Sequence, residues 1–182
     1  MQFKIRNMQE DKNQLITYAM RFGLYLGAFW VIKYLFLMGA AQIPALAAVE
    51  MMLKLGTPLL IVYFLIKYRS AVSDNGLSYG HGIQFVIMLC FFASLLEALI
   101  IFAHTSWIVP SYISDIYGNA LATIKELGVD GKTMEAIESQ PAPTPISFTF
   151  SNIMSDVFWG LLLALILVPV ANQFKMSKKT DE

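Results

Sequence analysis

Two stretches of this chain, residues 82–96 and 160–170, carry no charged side chain at all. That feature limits the fold more than any other. A helix on the surface of a water-soluble bundle keeps a charged face along its length, and these stretches have none. Nor do they alternate apolar and polar residues, as the strands of a membrane barrel do. The hydrocarbon core of a bilayer takes about 20 mostly apolar residues per crossing helix. Four segments reach that length: residues 15–38, 44–68, 81–107 and 150–174. The chain is 57% hydrophobic and 14% charged over 182 residues, and a soluble domain of that size has too little interior to hide such a load. The expected fold class is all-α: a polytopic membrane protein of four transmembrane helices, with a helical extracytoplasmic connection between the third and fourth.

The expected organisation is an N-terminal tail (1–14), a four-helix transmembrane domain (15–174) and a C-terminal tail (175–182). The first span reads as a retained helix rather than a cleaved signal. It follows a polar stretch, exceeds a signal core in length and contains Lys33. Basic residues near span ends mark the cytoplasmic side. Lys4, Arg6, Lys12, Arg21, Lys67, Arg69, Lys175, Lys178 and Lys179 fall on one side, against Lys125 and Lys132 on the other. Both termini are therefore expected in the cytoplasm. The short link 39–43 makes a hairpin of spans one and two. In the long connection, 109–147, apolar residues recur at helical spacing over 111–127, with Pro110 before them and Gly128 after them. A second short helix is expected over 132–138, then a proline-rich return through Pro141, Pro143 and Pro145. Both helices are expected to lie on the membrane surface.

Charges at membrane depth are costly and turn toward protein or water. Lys33, Glu50, Lys54, Glu97 and Asp156 all fall in the outer half of the bilayer at a rise of ~1.5 Å per residue, and each span supplies at least one. Glu50 and Lys54 share a helix face. Cys90, Ser94, Glu97 and His104 form a stripe on span three, and Asn152 shares a face with Asp156. The candidate site is thus an intramembrane polar network of Lys33, Glu50, Lys54, Glu97, His104 and Asp156. Its two lysines face three carboxylates, so one acid lacks a basic partner. Glu97, on the polar stripe of the central span, is the expected odd one. Such a network serves either as an outward-facing pocket for a small solute, ion or lipid headgroup, or as a structural tie between helices.

Gly23 and Gly27 form a GxxxG, the spacing that lets two membrane helices approach closely. Tyr18, Arg21 and Tyr25 are expected as a headgroup-level anchor. Pro58 and Pro169 are expected to kink spans two and four. Cys90, the only cysteine, reads as a small packing residue. No nucleophile elbow, phosphate loop, dinucleotide fingerprint or zinc spacing occurs. No enzyme activity, metal or cofactor is expected. Thirteen basic residues balance 13 acidic ones, without the basic excess that nucleic-acid binding needs.

Three stretches carry a family resemblance: Phe22-Gly-Leu-Tyr-Leu-Gly27, then Lys67-Tyr-Arg69 leading into Gly76-Leu-Ser-Tyr-Gly80-His-Gly-Ile-Gln-Phe85, then the acidic-leaning connection before the last span. With them the chain resembles the four-span membrane proteins of Bacteroidetes known as domain of unknown function 4199, over roughly residues 15–175. Tyr79 stands where that family commonly has Phe. The resemblance implies a bacterial inner-membrane protein and brings no catalytic residue with it. Membrane lipids are the expected partners, with a second copy or a larger membrane protein. The expected role is a scaffold or subunit of a membrane assembly. The alternative is a polar pocket that binds or moves a small solute, ion or lipid.

Overall fold

The computed structural model describes residues 2–72 and 77–174, with side chains from residue 13 onward. The side chains of Lys4, Arg6 and Lys12, the C-terminal Lys175, Lys178 and Lys179, and residues 73–76 of the link between spans two and three lie outside the described residues.

Seven α-helices follow one another: α1 (Gln2–Ala40), α2 (Ala45–Lys54), α3 (Gly56–Val72), α4 (Tyr79–Ala103), α5 (Tyr112–Glu126), α6 (Gly131–Glu138) and α7 (Pro145–Gln173), with a π turn at His104–Ile108 prolonging α4. Four stretches are long and apolar enough to cross a membrane: Asn13–Ala40, Ala45–Val72, Tyr79–Ile108 and Pro145–Gln173. The protein is an all-α, four-span polytopic membrane protein with helical segments linking its spans. Two boundaries differ from the expectation. The first helix begins at Gln2, with no separate tail before the span. The last begins at Pro145 rather than near residue 150, because a proline in the first turn gives up no helical hydrogen bond and presets the backbone angle.

The two prolines inside spans behave differently. Pro58 lacks an N–H for the Lys54 carbonyl one turn back, and its ring crowds that carbonyl. The second span accordingly breaks between α2 and α3 at Leu55, whose N–H turns back to Met52 O at 3.2 Å. Pro169 leaves α7 unbroken through Gln173.

The chain divides into two compact units, one holding residues up to Glu97 with those from Ile153 on, the other Ala98–Asn152. In the first, the third span is central: half of its most apolar window is buried, against 17–28% for the other three. Glycines let it be approached. A Cβ on Gly23 would stand 2.6 Å from Phe92 Cβ, and one on Gly27 would stand 2.8 Å from the Ala93 carbonyl. The GxxxG is therefore a close crossing of α1 on α4 within one chain. Gly82 and Gly160 do the same between α4 and α7, where added Cβ atoms would meet Val168 and Cys90, each at 2.6 Å. Phe22, Phe64, Tyr68 and Phe85 stack between α1, α3 and α4, with Phe22 and Phe64 at 5.0 Å and Tyr68 and Phe85 at 4.1 Å. Tyr18 joins them, 5.6 Å from Tyr68, whereas Tyr25 is exposed. The two tyrosines do not form one anchor stripe, since Tyr18 packs into the bundle. Met51, Met52, Leu55 and Leu59 make an outer row 71–74% exposed, the surface that lipid chains cover.

In the second unit, α5 and α6 form where the apolar spacing placed them. Pro110 lies just outside α5, Ser111 is its N-cap residue, and Gly128 follows its end at φ +73°, a conformation that favours glycine. The Asp130 carboxylate caps α6, accepting from the Thr133 N–H at 3.1 Å and the Thr133 hydroxyl at 2.6 Å. The Tyr117 hydroxyl reaches from α5 to the carbonyls of Ile137 and Gln140. Ile113 and Met134 supply the buried apolar contacts.

Candidate functional site

The charged residues of the first unit gather around the break in the second span. Lys33 Nζ on α1 lies 3.7 Å from Glu97 Oε1 on α4. Lys54 Nζ lies 3.1 Å from Glu50 Oε2 one turn back on α2. The Asp156 carboxyl, from α7, stands beside that of Glu97 and within the field of Lys33, and Glu50 is also close enough to act on Glu97. All four spans therefore contribute to one charged group. The expected odd carboxylate is corrected. Glu97 has Lys33, and Asp156 has no lysine within 4.0 Å among the described residues. The spacing along α4 pointed to Glu97, but Lys33 crosses to it from α1, a distance no sequence interval encodes.

The members differ in exposure. The carboxylates of Glu50 and Glu97 are both buried, the Lys33 side chain is 19% exposed and that of Lys54 is 61% exposed. Lys33 also lies 5.3 Å from the centre of the Trp30 ring, a cation–π distance. His104 belongs to the second unit, where it is buried and its ring lies 4.6 Å from that of Tyr112. Ser94 turns its hydroxyl onto its own helix, donating to Phe91 O at 2.8 Å. The stripe along span three is thus shared among different surroundings rather than gathered at one point.

Between the four spans of the first unit is a cleft of about 490 Å³. Lys33, Lys54, Thr57 and Asp156 supply its polar wall, and Trp30 and Trp159 face it as the large aromatic surfaces. Ile61 and Leu163 add an apolar lining, and Cys90 and Pro58 border it. The helix break builds one side: Pro58 interrupts the span, and Thr57 beside it accepts from Trp30 Nε1 at 3.2 Å. That bond fixes the indole against the cleft. Sequence reading missed Trp30, Thr57 and Trp159. The available signal was an indole at span depth, whose N–H needs a partner, and a hydroxyl next to a span-interior proline. Among the described residues no group of three or more His, Cys, Asp or Glu is arranged to hold a metal ion.

A second constellation ties the opposite ends of the helices. Arg69 donates to Ala171 O at 2.8 Å and to Phe174 O, satisfying carbonyls at the end of α7. The Asn172 amide donates to Leu77 O at 3.2 Å. Tyr79 donates to Leu165 O at 3.1 Å. The Tyr68 hydroxyl and His81 Nε2 share a hydrogen bond of 2.6 Å, with their rings parallel at 5.7 Å. The two short motifs around Lys67–Arg69 and Gly76–Phe85 therefore act as a clasp on the last helix.

Residues 21–168 match the family described as DUF4199, a protein of unknown function. The chain belongs to that family. The matched stretch includes the α1 glycines, the clasp residues Arg69 and Tyr79, and all five charged residues of the cleft. No curated protein and no solved structure matches the chain. This DUF4199 protein is thus a small multi-pass membrane protein of unknown biochemical function.

Proposed function

We propose that this protein holds a small amphiphilic ligand in the cleft between its spans and performs no covalent chemistry on it. One observation carries the reading: charged side chains from four helices border about 490 Å³ of open space. Ligand sites are commonly clefts of about 300–1,000 Å³, mostly apolar, with a few placed polar groups. A purely structural set of charges would close on itself and leave no void. The proposed setting is a bacterial cytoplasmic membrane with both termini inside, in keeping with the basic residues at the ends of spans. In a Cys90→Ser background, a cysteine at position 130 should then react with an impermeant reagent from outside intact cells.

The test of the binding reading is native mass spectrometry of the protein released from lipid nanodiscs. One retained small molecule or lipid per chain, lost on Trp159→Ala, supports it. Bare protein under all gentle conditions contradicts it. A scaffold or subunit role is the second reading, favoured by the engagement of both lysines in ion pairs. It predicts a defined oligomer or a co-purifying membrane protein in the same spectra.

A further inference from the structure

The charge balance around the cleft indicates what kind of ligand it takes. Resting on the binding reading above, we infer that the ligand carries an ammonium group seated against Asp156, with an apolar portion between Trp30 and Trp159.

The lysines are already engaged. Lys54 is held by Glu50 at 3.1 Å and Lys33 by Glu97 at 3.7 Å. Asp156 remains: it borders the open space, and the one lysine near it is bridged to another carboxylate. Three carboxylates against two ammonium groups leave one negative charge to be balanced. In a low-dielectric setting an imbalance of that kind is expensive, and a bound cation removes it. The cleft is also built from groups that favour an organic cation over a bare metal ion. Two indoles border it, and an aromatic face attracts an ammonium group more strongly once water is excluded. Thr57 is the one hydroxyl on the wall, and its oxygen is occupied by Trp30. Ile61 and Leu163 complete an apolar surface suited to a hydrocarbon chain. An anionic amphiphile would instead bring a second negative charge toward Asp156. Two sources supply the same chemistry: a free alkylamine, or the ethanolamine headgroup of a membrane lipid.

Tryptophan emission reads the cleft directly. The chain has 3 Trp, so Trp107→Phe leaves Trp30 and Trp159 as the reporters. This variant, in nanodiscs of phosphatidylcholine-free neutral lipid, is titrated with decylammonium, decanol and decanoate. The proposal expects half-maximal change at about tenfold lower decylammonium than either other probe, a difference that one well-placed charge contact supplies. Asp156→Asn should erase that preference while decanol still binds. Lys54→Met, at an exposed side chain whose loss leaves the fold intact, should tighten decylammonium and leave decanol unchanged. Added phosphatidylethanolamine displacing the probe, with phosphatidylglycerol inert, identifies the headgroup as the source. Failure of both lipids to displace it identifies a free amine. Equal binding of all three probes, unaltered by Asp156→Asn and Lys54→Met, overturns the ammonium assignment and leaves the cleft as a binding site. No response to any probe overturns both.

Discussion

The Tyr79 hydroxyl donates a hydrogen bond to the carbonyl of Leu165, at 3.1 Å. Leu165 lies four residues before Pro169, so its carbonyl is the one that the proline leaves without a helical N–H. A freed carbonyl in a membrane helix needs another donor, and α4 supplies it from its first residue. Tyr79→Phe should cost about 1 kcal/mol of stability, the usual scale of a polar contact between membrane helices. In a Pro169→Ala background the same change should cost close to nothing, because an alanine N–H restores the helical bond. Thermal unfolding in detergent of the four proteins of this cycle measures the difference. Equal costs in both backgrounds would remove the compensation.

The α1–α4 crossing is a packing contact inside one chain. Gly27→Leu should lower stability by about 1–3 kcal/mol through overpacking against the Ala93 backbone. The oligomeric mass should not change. Gly118→Ala is the matched control, since an added Cβ there meets nothing within 4 Å. Dissociation of an oligomer by Gly27→Leu without loss of chain stability would place the contact between subunits instead.

Lys33 is the cation shared by two carboxyls. Lys33→Met leaves Glu97 beside Asp156 with no ammonium between them, which is costly in a buried setting. Adding Glu97→Gln removes one of the two charges, so the double variant should be more stable than Lys33→Met alone. A double variant with the summed loss of its singles would mean that the 3.7 Å approach carries no coupling.

The cap on α6 responds to acid. Hydrogen bonds from Thr133 hold the Asp130 carboxyl below its ordinary value of 3.8. A depressed pKa stabilises the fold above the unfolded value and loses that contribution as pH falls through the folded one. Amide exchange at Thr133 should therefore be slow at neutral pH and quicken below about pH 4 by more than the intrinsic rate predicts. Asp130→Ala should remove the extra acid response. An unchanged profile in that variant would show that the carboxylate does not cap the helix.

Much of this fold is legible from residue order alone, because bilayer thickness converts apolar run length directly into spans. Gly128 and Pro58 were readable for a similar reason: each imposes a local backbone condition that few arrangements satisfy. Pro169 was not, since its effect depends on Tyr79 arriving from a helix that begins far away in the chain. Gly82 and Gly160 were missed although each is a lone glycine in an apolar stretch, the same kind of signal as Gly23 and Gly27. The charged residues of the cleft were found by their cost in hydrocarbon. Their pairing was misassigned at Glu97, because sequence spacing orders residues along a helix and says nothing of which neighbour faces them. His104 was grouped with them on periodicity alone, yet its ring is packed against Tyr112 in the second unit.

The central claim is that polar side chains border an open, water-accessible cleft at span depth rather than a closed knot of ion pairs. Cysteine accessibility tests it most directly. In a Cys90→Ser background, Thr57→Cys places a thiol on the cleft wall, and Leu59→Cys places one on the exposed outer row two residues away. A small water-soluble, membrane-impermeant thiol reagent applied to both faces of native membranes should modify position 57 and spare position 59. Protection of position 57 to the level of position 59 would contradict the cleft, and with it the binding function.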